Sequence, residues 1–241
     1  TTKPRRICSR SLPAHTKNMT DKKAEYAKCI GFWNEVFARE VPVFPKAAKM
    51  GIEEFDAGIA WLANGSESVV DFGCGNGTLL FSCRNLGTKT HIGIDLSEQA
   101  IKSAVERSRA GQNENFSFIN GGTEQLKNIA DNSVDAAILS NILDNLYPDD
   151  AVFALGEIHR LLKRGGKLLV KLNPFLSEKQ IKEWNIKTIE GNLLDDGLLL
   201  WNNTDAEWER LFKEKFSTVA KKEVYFKEAE QTNRMYLLLK K

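Results

Sequence analysis

Residues 69–80 read Val69-Val70-Asp71-Phe72-Gly73-Cys74-Gly75-Asn76-Gly77-Thr78-Leu79-Leu80. Two β-branched apolar residues lead through an acid to three glycines at alternate positions, and an apolar run resumes after them. Glycine adopts positive φ at little cost and has no Cβ, so the backbone of such a turn can lie directly against a ligand. The stretch therefore predicts a strand, a ligand-binding turn and the start of a helix.

Around this turn, short apolar runs alternate with segments of helical periodicity. Ser97 is suited to cap one of the helices, and Arg164-Gly165-Gly166 is typical of a helix C-terminus. The alternation predicts a parallel sheet with helices on both faces, a doubly wound α/β fold. The predicted strands are 68–72, 91–95, 116–120, 134–140 and 167–172, and the predicted helices are 77–85, 97–110 and 149–163.

The flanking segments differ from this core in their patterns. Helical spacing over 22–40 and 46–64, interrupted by Pro42 and Pro45, predicts an N-terminal helical cap. A helix over 206–216 and two strands over 218–226 and 235–240 predict an antiparallel addition to the sheet. We expect a basic extension over 1–18 and one domain over 19–241, divided into the cap (22–64), a cofactor-binding core (66–173), a flap (174–203) and a C-terminal helix and strand pair (204–241).

Composition narrows the setting of the protein. Of the 241 residues, 42% are apolar and 27% charged, and no stretch approaches the ~20 apolar residues of a membrane span. The four cysteines and three histidines show no metal-like spacing, so we expect a reduced, cytoplasmic protein without a metal.

The first 30 residues hold eight Lys or Arg against two acids. This basic segment is typical of a solvated arm, and a nucleic-acid contact or a targeting peptide is the alternative.

The second predicted strand ends in Asp95, 18 residues after Gly77. A carboxylate at this point can accept hydrogen bonds from both ribose hydroxyls of an adenosine. The glycine spacing is one residue shorter than the dinucleotide-binding pattern, which needs a pyrophosphate on a helix N-terminus. Asp71, two residues before the first glycine, repels phosphate and favours a cationic ligand. These features indicate a site for S-adenosylmethionine rather than for NAD.

Four motifs, in order, resemble those of the class I S-adenosylmethionine-dependent methyltransferases, particularly the branch that acts on small molecules. That resemblance covers about 105 residues and implies a Rossmann-like sheet, mostly parallel with an antiparallel C-terminal strand. The motifs are the glycine loop 71–77, Gly93-Ile94-Asp95-Leu96-Ser97, the fourth-strand segment 133–146, and the helix and turn over 157–168.

The resemblance also implies roles for individual residues. Gly73 and Gly75 let the backbone approach the methionine and ribose portions, and Asp71 orients the loop and reaches the amino group. Asp95 holds the ribose, and Leu96 packs against adenine. Family members commonly place an acid where this chain has Gly122, so the adenine contact passes to the backbone, Thr123 or Glu124. The predicted cofactor-binding residues are Asp71, Gly73, Cys74, Gly75, Asn76, Gly77, Asp95, Leu96, Thr123, Glu124, Ser140 and Asn141.

No residue identifies itself as a general base. Asp144, Asn145, Lys171 and Asn173 are candidates by location alone, after the fourth and fifth strands. Asn173-Pro174-Phe175 departs from the Asn-Pro-Pro-aromatic motif of amino-methylating enzymes, and we interpret it as a turn. His91 and His159 are expected to be packing or surface residues. Trp33, Phe37 and Phe44 are consistent either with a substrate pocket or with a helical core.

The sequence therefore predicts an S-adenosylmethionine-dependent methyltransferase that acts on a small molecule. Two alternatives stay open: a methyltransferase acting on RNA or protein through the basic N-terminal segment, and a non-catalytic S-adenosylmethionine-binding module. A nicotinamide dehydrogenase is disfavoured by the glycine spacing and by Asp71.

Overall fold

The computed structural model describes residues 19–43, 49–112 and 115–241; the predicted extension 1–18 and Phe44 lie outside these ranges. A seven-stranded sheet runs through the described chain in the order β3-β2-β1-β4-β5-β10-β9. Its strands are β1 (Ser68–Phe72), β2 (Thr90–Asp95), β3 (Phe116–Asn120), β4 (Val134–Ser140), β5 (Leu162–Leu172), β9 (Phe216–Phe226) and β10 (Gln231–Lys240).

The first five strands are parallel. From β1 the chain proceeds outward to β2 and β3, then returns to the other side of β1 to form β4, so Val70 pairs with both Ile92 and Ala137. A crevice opens beyond the carboxyl ends of β1 and β4, where the strand order reverses. Ligands of open α/β sheets bind at this point.

The last two strands are antiparallel, as predicted. β10 pairs with β5, with Tyr236 opposite Val170, and β9 pairs with β10 at the sheet edge. Because β10 runs opposite to β5, its first residues lie at the same sheet edge as the last residues of β5. The predicted fold class, a mostly parallel sheet with an antiparallel C-terminal addition and an N-terminal helical cap, is confirmed.

Helices cover both faces of the sheet and bury two apolar cores. One core contains Leu155, Trp208 and Tyr236, and the other contains Phe55 and Met235. The Ser97 hydroxyl accepts the amide N–H of Ala100, which makes Ser97 the predicted N-cap. The helices are α1 (Met19–Ala38), α2 (Glu53–Ala63), α3 (Thr78–Asn85), α4 (Glu98–Ala110), α5 (Pro148–Leu161), α6 (Glu178–Glu183) and α7 (Asp205–Phe212).

The structure corrects several predicted boundaries. Arg164-Gly165-Gly166 does not end a helix, because α5 ends at Leu161 and Leu162 already pairs with Val134 of β4. Gly165, with φ of 71°, lies instead at a break in the β4–β5 register. The helix predicted over 206–216 ends at Phe212, since Phe216 joins β9. Within 49–64, the described part of the predicted helical range 46–64, helix forms only from Glu53 to Ala63.

Residues 174–203, here called the flap, contain helix α6 and a small separate sheet of three strands. Two of its strands form a hairpin, with Asp195 opposite Leu199 and Gly197 at φ of 79°. The flap packs Leu193 and Leu199 onto Tyr147 at the start of α5. Its first strand and helix α6 were not predicted. The flap strands are β6 (Lys187–Glu190), β7 (Leu193–Asp195) and β8 (Leu199–Trp201).

Candidate active site

A cavity of about 290 Å³ lies in the crevice beyond β1, β2 and β4. Residues from the glycine loop, the end of β2, the turn after β3 and the end of β4 line this cavity together with α1. The predicted site residues among its lining are Gly73, Gly75, Asp95, Leu96, Thr123, Glu124, Ser140 and Asn141.

Four predicted site residues lie outside this lining. The side chains of Asp71 and Cys74 are buried inside the fold. Burial raises the pKa of the Cys74 thiol, which argues against a thiolate nucleophile. The Asn76 side chain accepts from the Thr78 hydroxyl and donates to Glu40. Gly77, at φ of 79°, precedes α3 in a left-handed conformation. These residues shape the loop rather than face the cavity.

Asp95 joins the loop to the cavity. Its Oδ2 accepts the amide N–H of Gly75 at 2.8 Å, and its Oδ1 accepts that of Ser97 at 2.8 Å. Burial raises the pKa of Asp95, while the two N–H donors oppose the rise by stabilising the carboxylate. Each carboxylate oxygen can accept a further hydrogen bond. Asp95 can therefore hold the glycine loop and still accept from a ligand in the cavity.

Gly73 and Gly75 form the floor of the cavity at positive φ, 80° and 53° respectively. A Cβ at Gly75 would lie 2.9 Å from the Phe37 ring, and one at Gly73 would lie 3.1 Å from Ile142. Because both glycines line the cavity, any side chain there would occupy ligand space. The backbone is therefore open to close approach, as the sequence predicted.

Asp71 is fully buried, and neither carboxylate oxygen has a hydrogen-bond partner within the described residues. Burial raises the pKa of Asp71 well above its usual range; neighbouring Asp95 raises it further, and Lys171 opposes the rise. An unpartnered buried carboxyl is costly. A cationic group bound nearby would relieve this cost, so the site suits a ligand with an ammonium or a sulfonium.

The turn after β3 shows what replaces the acid missing at Gly122. Glu124 folds back so that its Oε1 accepts the amide N–H of Gly122 at 2.8 Å. Its Oε2 lies 2.9 Å from the point that a Cβ at Gly122 would occupy, and Leu96 lies 3.3 Å from that point. The Glu124 carboxylate thus fills the space of a side chain at 122. An acid reaches this part of the cavity from two residues later in the chain.

Helix α1 covers the cavity. Trp33 and Phe37 stack with ring centroids 5.9 Å apart, and both line the cavity. Hydrogen bonds from Tyr26 to Asp150 at 2.6 Å and from Ser97 to Asn34 at 2.7 Å tie α1 to α5 and α4. Lys28 pairs with Asp195 of the flap at 2.9 Å.

The candidates for a general base differ in burial and in whether they line the cavity. Asp144 is buried, accepts the Asn173 amide N–H, and has its pKa raised to about 6 by burial. Lys171 is half-buried, its ammonium lies 4.4 Å from the centre of the Phe226 ring, and burial lowers its pKa to about 8. Neither residue lines the cavity, whereas Asn145 does. Of the histidines, His91 stacks on Phe116 inside the fold.

A cluster of carboxamides at the ends of β4 and β5 was missed by the sequence analysis. Asn141, at φ of 54°, donates from Nδ2 to Asn173 Oδ1 at 2.6 Å. Gln231 donates to Asn233 at 2.7 Å, and Asn233 donates to Asn141 at 3.4 Å. Asn141 and Asn173 were noted singly, but nothing in the local pattern indicated that β10 would bring Gln231 and Asn233 beside them.

Comparison with known proteins agrees with this geometry. A family model described as a methyltransferase domain matches residues 63–233. The chain therefore belongs to the class I S-adenosylmethionine-dependent methyltransferases. S-adenosylmethionine is the cofactor of this family. The unpartnered Asp71 carboxyl and the open glycine floor fit this cofactor.

Among curated relatives, a tRNA N(3)-methylcytidine methyltransferase of Schizosaccharomyces pombe is 23% identical over 83% of this chain and 68% of its own length. A ribosomal protein L11 methyltransferase of Haemophilus influenzae is 36% identical over 34% of this chain. The chain spans only 28% of that relative's length. Among solved structures, a 1,6-didemethyltoxoflavin-N1-methyltransferase of Burkholderia thailandensis has a TM-score of 0.63 and 17% identity, covering 97% of this chain and 93% of its own.

No helix among the described residues is both long and apolar enough to cross a membrane.

Proposed function

We propose that this protein transfers the methyl group of S-adenosylmethionine to a small-molecule acceptor. The observation that carries the proposal is the cover of the cavity: Trp33 and Phe37 of α1 and Leu198 of the flap line the same space as Gly75 and Asp95. A cavity of about 290 Å³ that is covered on this side accommodates a small molecule more readily than a polymer segment.

The proposed residue roles follow the lining. Asp95 accepts hydrogen bonds from the ribose hydroxyls, and Leu96 with Glu124 contacts the adenine. Gly73 and Gly75 give backbone access, and Asp71 supplies negative charge beneath the loop. The remaining residues of the proposed site are Thr123, Ser140 and Asn141 in the lining, and Cys74, Asn76 and Gly77 in the loop itself.

The cofactor supplies an electrophilic methyl group that needs no further activation by the protein. The chain's own contribution is to position the two reactants in line and to exclude water. The Asp95 bonds to Gly75 and Ser97 fix the loop, and α1 lies across it. Apolar side chains of α1 and the flap then form the side of the cavity that faces away from the sheet.

Methylation of RNA is the second candidate, since the tRNA methyltransferase of Schizosaccharomyces pombe matches 83% of this chain. RNA binding depends on Lys and Arg contacts to phosphates. Among the described residues that line the cavity there is no Lys or Arg, and Asp95, Glu124 and Asp150 are acidic. The charge of the cavity therefore favours a small acceptor over RNA.

Transfer of labelled methyl from S-adenosylmethionine decides between these functions. We expect label in a small-molecule extract and none in total tRNA or protein. Label in tRNA that is lost between low and moderate salt would overturn the small-molecule proposal. Calorimetry should show binding of S-adenosylmethionine and S-adenosylhomocysteine but not of NAD, and no binding of either nucleoside would overturn the methyltransferase function itself.

Cofactor binding is expected to release a proton from Asp71. Burial raises the pKa of the free Asp71 carboxyl well above its usual range, and a bound cation lowers that pKa by favouring the carboxylate. Affinity for S-adenosylmethionine should therefore rise with pH until the free carboxyl itself ionises. Calorimetry in two buffers of different ionisation enthalpy measures the proton release, which Asp71→Asn should abolish. Equal release from wild type and variant would contradict this role.

A further inference from the structure

A second cavity of about 440 Å³ lies beside the first, between the flap and the ends of β5 and β10. Asn145 and Leu198 line both cavities, so the two spaces adjoin. Asn173 and Gln231 line the second cavity from the sheet side, and Trp184 lines it from α6. The described chain thus provides a second space next to the proposed cofactor site.

The carboxamides of the sheet edge form a closed ring between these spaces. Asn141 and Gln231 both donate to Asn173 Oδ1, at 2.6 and 3.4 Å. Gln231 also donates to Asn233, and Asn233 donates back to Asn141. Asn173 in turn donates to Asn145 Oδ1 at 3.2 Å. The ring carries no net charge, yet it directs polar atoms toward both cavities.

Gln231 Oε1 accepts no hydrogen bond within the described residues, although the Gln231 side chain lines the second cavity. This oxygen can accept an N–H from a bound molecule. The other walls are mainly apolar, formed by Leu176, Leu200 and Trp184. The cavity therefore suits a molecule with an apolar body and a hydrogen-bond donor at one end.

The charged residues that line the second cavity indicate which kind of molecule it can bind. The described residues lining the second cavity include Asp196 and Glu230 but no Lys or Arg, and the first cavity has the same imbalance. A carboxylate or phosphate would meet repulsion on both sides. A nitrogen that becomes positively charged would be stabilised.

From these observations we infer that the second cavity binds a small nitrogen-bearing acceptor, an amine or nitrogen heterocycle, with the carboxamide ring orienting its nitrogen. This inference rests on the proposed methyltransferase function. The nitrogen reacts in its neutral form, so an ammonium first loses a proton to water. The free lone pair then forms the N–CH3 bond as the S–CH3 bond breaks and its electron pair stays on sulfur. Positive charge moves from sulfur to nitrogen, and the product nitrogen then loses one proton to water.

The test compares acceptors and variants under one assay. Labelled methyl transfer is measured with tryptamine, histamine and aniline, and with catechol, benzoate and total tRNA. We expect transfer to at least one amine and none to benzoate. Gln231→Leu should lower kcat/KM for that amine at least about tenfold, because the variant loses the oxygen that accepts from the amine and both hydrogen bonds that Gln231 donates within the ring. Cofactor affinity should stay within about twofold of wild type. Gln112→Leu makes the same change at an exposed glutamine that lines neither cavity, and it should leave both quantities unchanged.

Each other outcome is decisive. Transfer to catechol alone, or binding of S-adenosylmethionine with transfer to none of the amines, overturns the nitrogen acceptor and leaves the methyltransferase family assignment intact. Transfer to tRNA alone overturns both the nitrogen acceptor and the small-molecule function. Equal amine kinetics for Gln231→Leu and wild type overturn the role of the ring. Glu230→Lys provides a second readout, because added positive charge should raise KM for the amine.

Discussion

Replacing Asp95 by alanine is expected to weaken S-adenosylmethionine binding by at least about tenfold. The wild-type carboxylate accepts the N–H groups of Gly75 and Ser97 at 2.8 Å and, in the proposed complex, the ribose hydroxyls. A single charge-assisted hydrogen bond contributes roughly 1.5–3 kcal/mol, and the substitution removes several. Calorimetric titration of wild type and variant measures the loss.

Two further variants serve as a milder substitution at Asp95 and as a control. Asp95→Asn keeps the shape and one acceptor oxygen, so we expect an intermediate loss of affinity. Glu106→Ala removes an exposed acid from the middle of α4 and should bind as wild type does. If Asp95→Ala binds the cofactor as tightly as wild type, Asp95 has no part in binding.

Gly75→Ala is expected to abolish most cofactor binding while the fold survives. The new Cβ would lie 2.9 Å from the Phe37 ring, in space that both residues line. Even if the ring moves, the methyl group stays on the cavity floor. We expect at least about tenfold weaker binding of S-adenosylmethionine, which corresponds to a loss of about 1.4 kcal/mol or more in binding free energy.

Gly191→Ala is the matched control for this substitution. Gly191 has φ of 55°, against 53° for Gly75, but nothing lies within 4 Å of its added Cβ. Both alanines carry the left-handed backbone penalty of roughly 1–2 kcal/mol, so both should lower the melting temperature. Only Gly75→Ala should lose the cofactor. Equal affinities in the two variants would show that the glycine floor does not border the ligand.

The sheet was predictable because each strand of its parallel half carries its own apolar run. β1, β3 and β4 begin and end where the pattern predicted. The alternation with helices predicted that these strands are parallel, but it did not predict their order in the sheet. The end of α5 was not predictable from Arg164-Gly165-Gly166, since glycines next to a basic residue are typical of a helix end. Pairing of Leu162 with Val134 overrides that local preference.

The candidate site was predictable only where its residues lie in one strand and the turn that follows it. The glycine loop and Asp95 each follow a strand within the same local unit. Glu124 required its side chain to fold back onto Gly122, and the conformation of a side chain cannot be read from spacing. The carboxamide ring joins Asn141 to Gln231 and Asn233 across three strands. Such a contact depends on β10 pairing with β5, far apart in sequence.

Helix α1 contacts both the glycine loop of the proposed cofactor site and the flap. Phe37 reaches the glycine floor, Asn34 accepts from Ser97 beside Asp95, and Lys28 pairs with Asp195 on the flap. Bound S-adenosylmethionine that orders α1 is therefore expected also to order the flap, which lines the second cavity. We expect cooperative binding, in which either reactant raises the affinity of the protein for the other. Thermodynamic linkage requires the same gain in affinity whichever of the two is added first.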